Sequence, residues 1–173
     1  MPASWEEIFL DFSLRKLSQL EGRIQDCLMR LSEEQIWRRG GESQNAVGNL
    51  VLHLCGNLRQ WIGHGVGRLP DIRVREEEFA ARGGLSRAEL SARLAEAVAE
   101  ASAVLKGLTA ERLLESVVIQ GYRVTVLEAV YHVVEHFSQH TGQIIFAARL
   151  FTGHDPGYYR HLSQAAPASD PTP

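Results

Sequence analysis

The chain has 173 residues, 45% of them hydrophobic and 23% charged, with a formal net charge of −3. These are the proportions of a globular protein long enough to bury one core of its own. The acidic balance speaks against a nucleic-acid binder, which carries a basic excess on one face; here Arg73 and Arg75 are followed at once by Glu76, Glu77 and Glu78.

The first helix is expected from about Ser4 to Leu31, with Trp5, Ile8, Phe9, Phe12, Leu20, Ile24, Cys27 and Leu28 along a slowly drifting apolar stripe. Ser32-Glu-Glu-Gln35 reads as a capping box for a short helical turn, which Gly40-Gly41 stops. A second helix is expected from Ser43 or Asn45 to about Gly65, with the stripe Val47, Leu50, Val51, Leu54, Leu58, Trp61 and Ile62. A loop rich in Gly, Pro and charge follows to Gly84, and its Arg73, Arg75 and Glu78 read as solvated loop charge, with a cover over the mouth of a pocket as the alternative. Ser86-Arg-Ala-Glu89 opens an alanine-rich third helix that ends near Lys106 at Gly107. The segment Glu115–Val124 is the plausible extended stretch, with a turn at Gln120-Gly121. Thr125-Val-Leu-Glu128 caps a fourth long helix that runs to about Phe151 and ends at Gly153.

The expected architecture is all-α: a four-helix bundle over residues 1–162 with a short hairpin before the last helix. A Pro/Ala/Ser tail over 163–173 has nothing to bury and reads as disordered. Cys27 and Cys55 fall within apolar helical patterns and form no Cys-x-x-Cys pair, so they read as small buried hydrophobes. No stretch approaches the roughly 18 apolar residues of a membrane span. The N-terminus carries Glu6 and Glu7 where a secretory signal would be basic. A cytoplasmic protein is expected.

Three histidines carry the chemistry. His136 and His140 are four apart on the fourth helix, and residues at that spacing stack on one face. Projected at about 100° per residue, both lie on one shoulder of the apolar stripe, beside the small residues Ala129 and Ala147. His132 projects toward the polar face, as a surface residue or one behind the ligands. His53 flanks the stripe of the second helix and can supply a third imidazole. His64 lies three turns from His53, roughly 16 Å along the axis, too far to share an ion. His154 and His161 are also expected to point elsewhere. Three histidines with open coordination positions make the ligand set of a catalytic metal rather than a structural one. The competing reading is that these are ordinary core histidines. Asn57 and Gln143 are the candidates for orienting an imidazole or a substrate, with plain interhelical hydrogen bonding as the alternative. Zinc or nickel stands ahead of iron or manganese as the ion, since all four accept imidazole. No His-Glu-x-x-His zincin motif, paired Glu-x-x-His di-iron motif, phosphate loop or Gly-x-Ser-x-Gly elbow is present.

The stretches Asn45–Trp61, with Asn49, His53 and Asn57, and Glu135–Ile144, with His136, His140 and Gln143, resemble the DinB/YfiT-like superfamily. The likeness extends from the first helix to about Leu162 and lies nearest to a branch of unknown function. It implies a divalent metal on His53, His136 and His140. It also implies a metal-dependent hydrolase, or a transferase or isomerase that uses a low-molecular-weight thiol. The alternative is a non-catalytic metal- or small-molecule-binding bundle. A homodimer is implied, with a small-molecule substrate or thiol and neither nucleic acid nor membrane as partner.

Overall fold

In the computed structural model, which describes residues 3–163, long helices pack around a single apolar core. The first, α1 (Trp5–Arg30), starts at a Ser4–Glu7 capping box. The short α2 (Glu33–Trp37) follows from its own Ser32–Gln35 box. Then come α3 (Val47–Leu58), α4 (Arg75–Ala80), α5 (Arg87–Lys106) and α6 (Ala110–Leu114). The antiparallel hairpin β1 (Ser116–Ile119) and β2 (Tyr122–Thr125) leads into α7 (Val126–Thr152). Gly153, at φ 67°, supplies the left-handed residue that ends α7 without a Cβ penalty. The tail expected over 163–173 lies, beyond Ser163, outside the described residues, as does the side chain of His161.

Ser86 and Thr125 cap α5 and α7 with reciprocal bonds to Glu89 and Glu128. Three features differ from the sequence reading. In α1 the core face is Leu10, Ser13, Leu17, Leu20 and Ile24, whereas Trp5, Ile8 and Phe12 are exposed. The first half of that helix carries two apolar faces, which merge into one drifting stripe in projection. The second helix is α-helical only to Leu58 and continues as a π-helical stretch, Arg59–Val66. Within it Gly65 lets Ile119 of β1 approach so closely that a Cβ would lie 2.3 Å from it. The loop after it contains α4, a short helix whose apolar content is too low to show a periodicity.

The helix directions follow from the cross-helix contacts. Gln25 on α1 bonds Ser91 at the start of α5, so these two run antiparallel. The segment after α7 returns to the end of α1, where Tyr158 donates to Asp26 at 2.9 Å, so α1 and α7 are parallel. His53 and Trp61 on the second helix meet His136 and His132 in reverse order, so α3 and α7 are antiparallel. The bundle is therefore up-down-down-up: the connection between α3 and α5 must span its length, whereas the one between α5 and α7 joins helix ends that already lie together. The first carries α4 past His53, and the second carries the hairpin past the π-helical stretch. Among the described residues no helix is long and apolar enough to cross a membrane.

Candidate metal centre

The α3 helix begins at a polar clamp. The Ala46 N–H donates to Asn49 Oδ1, and the fully buried Asn49 amide donates in turn to the carbonyls of Glu78 and Ala81 at 2.8 and 2.9 Å. Arg39 reaches the same Asn49 oxygen at 2.7 Å and the Phe79 carbonyl at 2.8 Å. These bonds satisfy the carbonyls at the end of α4 and hold that helix across α3. One turn past the clamp, His53 points at what α4 delivers.

That group is Glu78, which is buried and lies 2.9 Å from His53 Nδ1 through Oε2. Its other oxygen accepts from Arg73 Nε at 2.6 Å, and a second Arg73 nitrogen donates to Oε2 at 2.8 Å. The pair is a two-pronged carboxylate–guanidinium fork, with the Arg73 side chain only 4% exposed. Arg73 also donates to Gln60 at 2.9 Å, and Gln60 in turn donates to Asp71 at 2.8 Å. Burial opposes ionisation of Glu78, but the bonds from Arg73 and His53 outweigh it and hold its pKa below the usual carboxylate range. An ionised Glu78 accepts the hydrogen bond of the His53 Nδ1–H, which leaves the Nε2 lone pair of His53 facing inward. The Arg73 nitrogen 3.1 Å from Nδ1 is a second donor there, so its bond goes to the carboxylate instead.

From α7, His136 and His140 face that lone pair. His136 Nε2 lies 3.1 Å from His53 Nε2 and 3.2 Å from His140 Nε2. The possible ligand atoms of all three lie within 4.8 Å of one another. His140 Nδ1 donates to Gln143 Oε1 at 2.7 Å, which fixes its Nε2 as the free lone pair. His136 Nδ1 is buried with no hydrogen-bond partner among the described residues. Burial, then the neighbouring His140 and His53, push the His136 pKa down to about 3, so it is neutral at ordinary pH. His140 is lowered as well, by burial first, against the opposing bond to Gln143, with His53 the smallest contribution. Neutral imidazoles converging through their lone pairs are what a divalent ion takes as ligands.

The remaining candidates fall as follows. Asn57 is buried one turn beyond His53 and makes no hydrogen bond to any imidazole among the described residues. His132 packs against Trp61, ring centroids 4.1 Å apart at a 41° tilt, behind His136. His64 donates to the Leu69 carbonyl at 2.7 Å, and His154 is exposed past the end of α7. Glu78 and Arg73 overturn the reading of the loop as solvated charge, because Asn49 and Arg39 draw the segment inward. Gly56 carried the signal: a glycine inside a helix is disfavoured unless something approaches closely. A Cβ there would stand 1.9 Å from Glu78 Oε1 and 2.8 Å from Arg73 Nε.

The site opens into a chamber of about 470 Å³ whose wall includes Trp61, Arg75, Tyr122, Val124 and His132. That size suits a small organic ligand. Neither cysteine serves it: burial pushes the Cys55 thiol up to about 12 and raises Cys27 too.

The chain belongs to a family of proteins of unknown function, DUF1572, whose profile spans residues 5–165. Several solved structures share its fold. A conserved protein from Enterococcus faecalis is 19% identical, with a TM-score of 0.66 over 83% of this chain and 97% of that one. The DinB-like protein YjoA from Bacillus subtilis is 15% identical, with a TM-score of 0.64 over 83% and 93% of the two chains. A mycothiol-dependent maleylpyruvate isomerase is 16% identical, with a TM-score of 0.60 over 78% of this chain and 60% of that one. At these identities the likeness is one of fold, and the chain is a DinB-like bundle, as its sequence resemblance implied. No curated protein matches the sequence.

Proposed function

We propose that the chain is a divalent-metal-dependent enzyme whose centre, His53, His136 and His140, activates water or a low-molecular-weight thiol, as a hydrolase or a thiol transferase. The observation that carries this reading is the meeting of three imidazole nitrogens, with His53 Nε2 and His140 Nε2 at 3.1 and 3.2 Å from His136 Nε2 and the Nδ1 atoms of His53 and His140 already bonded to Glu78 and Gln143. When bound, a divalent ion would supply Lewis acidity to a water or thiol in its remaining positions. The protein's own part is to hold the imidazoles: Glu78, backed by Arg73, orients His53, and Gln143 orients His140. The mycothiol-dependent isomerase that shares the fold makes a thiol the first co-substrate to assay. Zinc and nickel are the ions to load first, before iron and manganese.

Calorimetric titration of the metal-free protein should give one ion per chain, and thiol-transfer and ester-hydrolysis assays should show turnover with metal that disappears in His136→Ala. Chains that bind no divalent ion would refute the centre.

A second reading, a metal- or small-molecule-binding protein without turnover, is favoured by one feature. Among the described residues, the chamber wall holds no serine or cysteine to act as a nucleophile. Stoichiometric metal binding with no turnover on any thiol or ester would select it.

We also infer a cytoplasmic homodimer that binds no nucleic acid. The net charge of −3 supports the last point. The exposed apolar side chains Trp5 and Ile8 on α1, 50% and 58% exposed, are consistent with a covered face. Light scattering that reports a monomer at micromolar concentration would refute the dimer.

A further inference from the structure

Asn57 and Arg75 stand in the chamber wall, and the histidine centre does not use them. Asn57 is 4% exposed, and among the described residues its side-chain amide has no hydrogen-bond partner, although it lines the chamber one helical turn from His53. Buried amides are normally paired, so an unpaired one at a cavity wall is a group shaped to meet a ligand. Arg75 is the second. Arg73 is neutralised by Glu78, but Arg75 forms no ion pair among the described residues. Its guanidinium instead lies 4.8 Å from the centroid of the Phe79 ring, which packs 4.8 Å from the His53 ring. The cation is thus anchored within one ring of the centre. The acid in the wall, Glu128, is occupied by its own helix cap, accepting from the Thr125 N–H and hydroxyl. The rest of the wall is Trp61, with the His132 ring against it at a 41° tilt, Tyr122, Val124 and Gln120, whose amide donates to Gln60, and it is largely apolar.

We propose that the chamber takes an organic carboxylate with an apolar body, its carboxylate held by Asn57 and Arg75 and its body laid against Trp61, His132 and Tyr122. An amide N–H and a guanidinium together match two carboxylate oxygens. The apolar wall adds area that a bare anion cannot use. This deepens the metal-centre reading by naming the substrate class, and rests on it only for the events at the histidines.

The test is calorimetric titration of the full chain, metal-free and zinc-loaded, with 3-phenylpropionate, 3-phenylpropanamide, 3-phenylpropylamine and acetate. 3-Phenylpropionate should bind at least tenfold more tightly than the other three. Arg75→Gln should abolish its advantage over the amide, and Arg75→Lys should restore part of it. Arg75 is exposed, so these variants fold; Asn57→Ala, checked by circular dichroism, should weaken the acid at least tenfold. Equal binding of amine and acid, no measurable binding of the acid, or an affinity unchanged in Arg75→Gln would overturn the proposal. Zinc binding with an unchanged acid affinity in Arg75→Gln sinks this proposal and leaves the centre standing. Acid binding that needs Arg75 in a chain that takes up no zinc does the reverse.

Discussion

The two long connections of the bundle are similar in length and both line the chamber, yet they are held by different forces. The first, from the π-helical stretch to α5, enters the interior through charge: Arg73 and Glu78 are buried as a pair, and Asn49 and Arg39 grip the carbonyls of residues 78, 79 and 81. The second, from α5 to α7, is anchored by Leu113 and Ile119 and leaves Leu114, Val118 and Tyr122 more than half exposed. Apolar anchoring tolerates small shifts, because it is non-directional. A buried charge pair fixes one geometry, because its hydrogen bonds are directional and each partner is costly without the other. The first connection therefore orients a histidine, while the second forms a rim.

The strongest way to break this comparison is Glu78→Ala. It leaves the Arg73 guanidinium buried without its partner, and the expected cost is about 3–5 kcal/mol in urea denaturation. Metal affinity, measured by calorimetry, should fall by about 10–100-fold as His53 loses its anchor. A cost near that of a surface change would erase the distinction between the two connections.

Gly56→Ala sharpens it from the opposite side of the carboxylate. The added Cβ collides with Glu78 Oε1, so a destabilisation of about 1–3 kcal/mol is expected despite the better helix propensity of alanine. A Cβ added at Gly22 in α1 would meet nothing within 4 Å, and Gly22→Ala should stabilise the chain by about 0.5–1 kcal/mol. Identical signs for the two substitutions would show that Glu78 moves freely.

Acid should act on the first connection and its histidine partner, not on the hairpin. Folding lowers the pKa of His136 to about 3, so below about 6.5 the unfolded chain binds more protons than the folded one. The stability of the metal-free protein should thus decline as pH falls from about 6.5 toward 3. Glu78 adds to the decline below about 4.5, because its folded pKa is also depressed. Replacing His136 by Gln should flatten the upper part of that slope in denaturation curves taken at successive pH values.

The smallest effect belongs to the rim. Tyr122 is 64% exposed, and Tyr122→Ala should change stability by no more than about 0.5 kcal/mol by chemical denaturation.

Much of the bundle is legible in local signals. The Ser32, Ser86 and Thr125 boxes mark helix starts because a cap is a contact between residues three apart. Gly153 marks the end of α7 for a similarly local reason. The meeting of the three histidines is legible through spacing on α7 and the requirement that α3 pack beside it. Glu78 is not, since its neighbourhood reads as polar and its burial depends on Asn49 and Arg39, far away in the chain. Such separations set no pattern that a short sequence window can register. The exposed aromatics of α1 escape for another reason: hydrophobicity identifies a face that avoids water, and which element covers it is decided by tertiary packing.

The up-down-down-up order also sets a timetable. The first helix packs most extensively against the last, and His53 and His136 stand 83 positions apart. On a ribosome adding about 5–20 residues per second, His53 precedes His136 by roughly 4–17 seconds. Throughout that interval α1 waits for its main neighbour, its Leu17 and Ile24 face uncovered on the α7 side. The nascent chain is thus most exposed to aggregation and to chaperones just before α7 emerges, and the three imidazoles first meet only once α7 is available.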